Sequence, residues 1–298
     1  MPLTTLDNQT TEVEFDISGL RFITPVGVVL WICWIRFFEK IGVTWTIVGV
    51  DEQADIYRYL QRIDFFSTIG VETVESFVRR PSRRRFIPIE NVGRASQANV
   101  NQLASRAAEC ISPDPIEGLE GDYPGYLNCL KFGISELVNN VSQHASGMGC
   151  IMAQYFPRFD SVTVAVADIG MGIRESFHMV RYEQEHEVSH LKSLQQALLP
   201  LMSSKKGTLG WGESVNQGVG LTLLAEIAEA CGGEFCILSG DGMVHNRVGT
   251  QLDGMFFGTL VAYRFNRDRM HDFAAVLEVA KQNSGLDDSS GAVNKFFG

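Results

Sequence analysis

The six cysteines of this 298-residue sequence form no CxxC pair and no zinc-ribbon spacing, so neither a disulfide framework nor a thiolate zinc site organises it. A reducing compartment fits that usage. The longest apolar stretch, residues 23–35, is too short to span a bilayer, and no basic leader with a cleavage site is recognisable. A cytoplasmic protein without a membrane partner is expected. Basic residues are scarce: 25 Lys and Arg stand against 35 Asp and Glu, a formal charge of -10. That argues against nucleic acid as a partner, because such affinity comes from neutralising phosphates. Two phosphate-binding signatures are also missing. GxxxxGK[ST] does not occur, which excludes a Walker A loop, and GxGxxG does not occur, which excludes the dinucleotide fingerprint.

What is present is a hydrophobic fraction of 45%, enough for a core at this length. Charge is unevenly placed. Residues 1–85 carry a net of -1 and residues 86–298 a net of -9, with Arg79, Arg80, Arg83, Arg84 and Arg85 at the seam. The segment before that seam reads strand, helix, strand, helix: an alternating strand at 12–17, a helix opened by Pro25 and running to about 40, a β-branched strand at 44–50, and a helix at 52–63. After it come helices at 95–110 and 125–145, strands at 150–156 and 162–167, a polar and mostly helical stretch at 172–203, and a Gly-rich stretch at 207–220. Another helix to about 231, strands at 234–238 and 256–265, a helix at 267–281 and a loose Gly/Ser/Asp tail complete the pattern. Three units follow: 1–85, 86–283, and the tail 284–298.

Three motifs carry chemistry. On the helix at 125–145, a spacing of 100° per residue puts Leu130, Ile134, Leu137, Val138 and Val141 on one arc. Glu136, Asn139, Asn140, Gln143 and His144 fall on the other. An amide oxygen can ligate Mg²⁺ and a carboxylate can orient an attacking group, so Glu136-x3-Asn140-x3-His144 suits metal and phosphate chemistry. Second, the strand 162–167 delivers Asp168, followed by Gly170 and Gly172. A carboxylate only accepts hydrogen bonds, which suits the exocyclic amine of adenine and would repel the O6 of guanine. Third, Gly218-Val-Gly220-Leu221 leads into an apolar helix, whose free N–H groups form an anion site.

In this order and spacing the three motifs resemble the N, G1 and G2 boxes of the GHKL ATPase superfamily, most nearly the anti-sigma-factor serine kinases and other histidine-kinase-like ATPase domains, over about residues 95–265. The resemblance implies a two-layer α/β sandwich of the Bergerat type that binds Mg-ATP. Asn140 would ligate Mg²⁺, Glu136 would position or activate the attacking group, and His144 would complete the polar face. Asp168 would hold the adenine amine, with Gly170, Gly172 and Thr259 shaping the base pocket. Gly218, Gly220 and Leu221 would cradle phosphates under a lid at 200–217, where Lys205 and Lys206 are candidates for the γ-phosphate on charge alone.

The N-terminal residues 15–27, Phe-Asp-Ile-Ser-Gly-Leu-Arg-Phe-Ile-Thr-Pro-Val-Gly, are similar to a STAS domain, so a small STAS-like α/β domain is expected to precede the ATPase. The family's phosphoacceptor serine falls on Val26, which has no hydroxyl; docking to a protein partner or self-association into a homodimer remains. Residues 186–190 spell HExxH, which on a helix would hold Zn²⁺ between two imidazoles; the polar surroundings and the lack of a third ligand favour a variable insertion instead. Two functions stay open: ATP hydrolysis or phosphoryl transfer to a regulatory partner, and an ATP-gated interaction module without chemistry.

Overall fold

The computed structural model describes residues 10–82, 85–93, 97–111, 123–144, 148–178, 188–199 and 220–269, with 278, 279 and 282. β1 (Glu12–Asp16) and β2 (Thr44–Val48) form a two-stranded parallel sheet, joined by α1 (Pro25–Lys40). Thr24 caps α1, its hydroxyl accepting the Gly27 N–H at 3.4 Å, and Pro25 occupies the first turn, where its missing N–H costs nothing. α2 (Asp55–Arg62) and α3 (Phe65–Thr68) follow.

The chain then enters a second sheet. β3 (Phe86–Val92) is its first strand; α4 (Gln97–Ile111) and α5 (Tyr123–His144) intervene before β4 (Gly149–Phe156) and β5 (Ser161–Asp168). α6 (Gly172–His178), α7 (His190–Ala197) and α8 (Gly220–Ala230) precede the long hairpin of β6 (Glu234–His245) and β7 (Val248–Asn266). The five strands run antiparallel in the order β3-β4-β5-β7-β6. The molecule is thus a mixed α/β protein, a small parallel sheet plus a five-stranded antiparallel sheet packed with helices.

Both faces of the larger sheet are covered. Ile151, Ala153, Val164, Val166, Phe235 and Tyr263 face α4, α5 and α8 in one core. Their strand neighbours Cys150, Met152, Ala165, Ala167, Leu260 and Ala262 face the other way, into a core with Val28, Val29, Ile32, Cys33 and Ile35 of α1. This explains why β4 and β5 read as continuous apolar runs rather than alternating ones. The expected two-layer sandwich describes one face; α1 adds a helical layer on the other.

Polar and aromatic contacts seal the α1 face. Arg36 donates to the Gly149 carbonyl at 3.0 Å and to the Asn91 side chain. Phe37 stacks on Phe257 of β7 with centroids 4.2 Å apart. The Cys33 and Cys150 thiols interact across the layer, and the Cys33 thiol titrates well above its usual range because of that contact and burial. Cys110 and Cys231 are buried too, and all four thiols are free.

Two strands run several residues past their sequence-based bounds and one, β3, is new. β3 carries Pro88, and a register shift between Ile87 and Glu90 interrupts its pairing, so that Ile87 and Ile89 enter opposite cores. β6 and β7 continue past the expected 234–238 and 256–265 because the pair absorbs Gly240 and Gly242 as irregularities in register. A 3-10 turn at Arg267–Arg269 begins the stretch expected as the helix 267–281, most of which lies outside the described residues, as does the whole tail 284–298. Among the described residues, no helix is long and apolar enough to cross a membrane.

Candidate functional site

Asp168 ends β5, paired with Gly149 of β4 on one side and Thr259 of β7 on the other. It is 6% exposed. Its Oδ1 accepts the Gly170 N–H at 2.7 Å, the geometry of a carboxylate closing a tight turn. Burial pushes its carboxyl up to about 6, against the lowering effect of the Gly170 and Thr259 backbone N–H groups. Desolvation wins because two amide donors cannot replace bulk water around a charge.

Glycines crowd the backbone around this strand end. Gly172 has φ +82°, and a Cβ there would stand 2.8 Å from Ser239 Oγ. Gly258 has φ +123°, and a Cβ would stand 2.0 Å from the Asp168 carbonyl oxygen. Ser239 ties the three segments together: its hydroxyl donates to the Gly258 carbonyl at 2.7 Å and accepts the Ile173 N–H at 3.0 Å. The loop after Asp168 is therefore fixed to both β6 and β7.

α5 reaches the same place through two glycines. Gly133 lets Leu224 of α8 approach, a Cβ there meeting its side chain at 2.6 Å. Gly149 lets Val141 approach, a Cβ there lying 2.2 Å from Cγ1 and 3.3 Å from the Asp168 Cβ. So the helix of the first motif touches the strand end of the second and packs on the helix of the third.

The described members of the first motif divide. Glu136 is 8% exposed, whereas Asn140 one turn on is exposed. The helical wheel put both on the polar arc; α5 buries Glu136 at the flank of its apolar stripe. The His144 side chain lies outside the described residues, as do Gly218, Lys205, Lys206 and the lid 200–217. Gly220 opens α8, and the Leu221 carbonyl accepts the Tyr263 hydroxyl at 3.1 Å. Thr259 is half-buried opposite Asp168.

Sequence reasoning did not single out Gly133, Gly149, Ser239 or Gly258. A glycine inside a strong helical pattern and one inside a strand pattern were the available signals for Gly133 and Gly258. Ser239 carried none.

HExxH does not form a helical pair. α7 starts at His190, capped by Ser189 in an extended conformation, with Val188 non-helical before it. His186 and Glu187 lie outside the described residues. His190 is buried against Gly240, and among the described residues its Nδ1 has no hydrogen-bond partner. Among the described residues, no group of three His, Cys, Asp or Glu is placed to hold a metal ion.

No family model matches this chain, and no curated protein matches it.

Proposed function

We propose that the protein is a GHKL-type ATPase or phosphoryl-transfer protein that binds Mg-ATP beside Asp168, with a STAS-like N-terminal module through which it meets a regulatory protein partner. The observation that carries the reading is the buried Asp168 carboxylate at a strand end, held by the Gly170 and Thr259 backbone N–H groups, with Gly149 beside its Cβ and Gly258 against its main chain. An acceptor held away from water suits a ring with an exocyclic amine, and it penalises a ring presenting a carbonyl there.

The residues present fit the two groups that the reading requires. Asn140 offers an exposed amide oxygen for Mg²⁺, and the start of α8 at Gly220 offers free N–H groups to phosphate oxygens. Bound ATP supplies an activated γ-phosphoryl group. Glu136, held on α5 one turn from Asn140, is the carboxylate that orients and deprotonates the attacking water or hydroxyl. Ser239 keeps the loop after Asp168 in place. A cytoplasmic setting follows from the same reading, since ATP is abundant there.

The test is a thermal shift of the full chain with nucleotides. A ligand at about 100 times its Kd stabilises by about 2.7 kcal/mol. Mg-ATP and Mg-ADP raise the melting temperature, Mg-GTP does not, and Asp168→Ala removes the response. No response of the wild-type chain to Mg-ATP overturns the reading.

A further inference from the structure

The parallel sheet has only two strands, and such a pair needs further strands or packing to be stable. Its β1 side is guarded. Thr44 donates its N–H to the Thr11 carbonyl and Ile17 donates to the Val48 carbonyl, so odd-numbered residues of β1 face β2 and Glu12, Glu14 and Asp16 turn their backbone groups outward. A second β1 laid there would set acid against acid.

The β2 side has no such guard. Residues 41–50 contain no charge and no proline, and the strand is paired without a bulge. By the same alternation, Trp45 and Ile47 turn their N–H and C=O groups away from β1. Among the described residues, no backbone–backbone hydrogen bond outside the β1 ladder involves either residue and no strand lies beyond β2. The edge strand β3 is treated differently, with Pro88, a register shift, and Ile89 donating to the Ile63 carbonyl at 2.9 Å. Bulges, prolines and charges are how proteins close an edge; β2 uses none of them.

We propose that β2 is the dimer edge, pairing antiparallel with β2 of a second copy about a two-fold axis through Thr46. That register satisfies all the outward groups: Trp45 exchanges two hydrogen bonds with Ile47 of the other copy, and Ile47 exchanges two with Trp45. It also sets aromatic against β-branched side chains on the core-facing side, and Thr46 against Thr46 on the exposed side. The lack of charge is what permits identical strands to meet, whereas the acidic β1 edge forbids it. The result is one four-stranded sheet, β1-β2-β2-β1, shared by two chains. Self-pairing rests on the β2 edge alone and is independent of nucleotide binding.

Light scattering on the full chain at micromolar concentration tests this. The expected mass is twice the 33.0 kDa of one chain. Thr46→Lys and Thr46→Glu place like charges on the axis from an exposed position, so each variant alone runs as a monomer with its circular dichroism unchanged, and an equimolar mixture returns to a dimer. Thr46→Cys, treated with diamide to remove the two thiol hydrogens, cross-links to itself, since directly opposed residues of a non-hydrogen-bonded pair lie about 4.5 Å apart at Cα. Thr44→Cys does not, because it faces Val48. A monomeric wild type overturns the proposal. So does a dimer that survives Thr46→Lys and shows no Thr46→Cys cross-link, which would put the contact on another face.

Discussion

Gly149 lies so close beneath Val141 that a methyl group on it would stand 2.2 Å from the valine Cγ1, and 2.9 Å from the Ala167 carbonyl oxygen. This contact fixes α5, which carries Glu136 and Asn140, against the strand end that carries Asp168. Gly149→Ala therefore pushes the helix and the carboxylate apart. Overpacking of this kind costs about 1–3 kcal/mol, measurable by urea unfolding, and the Mg-ATP thermal shift should shrink with it. A variant as stable and as responsive as wild type would show that α5 does not need this seat.

If the proposed site is right, nucleotide binding should depend on pH through Asp168. Its carboxyl titrates at about 6 in the free protein, above the unfolded value of 3.8. The folded chain thus binds the extra proton, and stability declines as pH rises from about 4 to about 6, where the buried carboxylate ionises. A ligand that donates to the carboxylate favours the ionised form. Mg-ATP affinity should fall below pH 6, by as much as about tenfold per pH unit. Calorimetric titration of wild type between pH 5 and 8 should show this slope, and Asp168→Asn should be weak and flat.

Glu136→Gln keeps the shape of the α5 flank while removing a base. Loss of a positioned general base typically lowers turnover about 10²–10⁴-fold. The expected result is ADP formation reduced by that factor with the Mg-ATP thermal shift retained. Equal ADP formation by wild type and variant favours the interaction module without chemistry.

Ser239→Ala deletes a hydroxyl that is 1% exposed and serves one donor and one acceptor. Stranding the buried Gly258 carbonyl and Ile173 N–H costs about 1–3 kcal/mol. The loop of Gly170 and Gly172 should loosen as well, read as faster amide hydrogen exchange at Gly170.

Ile32 of α1 is fully buried beneath the larger sheet. Ile32→Ala should cost about 2–5 kcal/mol. Because its core includes Ala167, Ile169 and Leu260, the loss should lower the stability of β5 and β7 along with the N-terminal segment. Separate unfolding transitions, with only the N-terminal one shifted, would contradict that coupling.

Much of the element order was legible because its signals are local. Pro25 after Thr24 marked the start of α1, and the alternation of 12–17 and the β-branched run at 44–50 marked a strand pair. Asp168 followed by two glycines was legible as a strand-end turn, and the Asp168–Gly170 hydrogen bond bears that out. β3 was not legible, because Pro88 argues against a strand and its register shift sends Ile87 and Ile89 into opposite cores. The burial of Glu136 was not legible, because a helical wheel knows the angle of a side chain but not what packs over it.

By itself the sequence determined the elements, the acidic charge and the candidate chemical groups, since propensity, periodicity and side-chain chemistry are properties of neighbours along the chain. Only the tertiary structure decided that α1 covers the second face of the larger sheet, that Gly133, Gly149 and Gly258 are the points of closest approach, and that Ser239 joins two strands to the Asp168 loop. Those relations bring together residues far apart in sequence, and close packing, with its requirement that every buried polar group find a partner, selects among the arrangements that local preference allows.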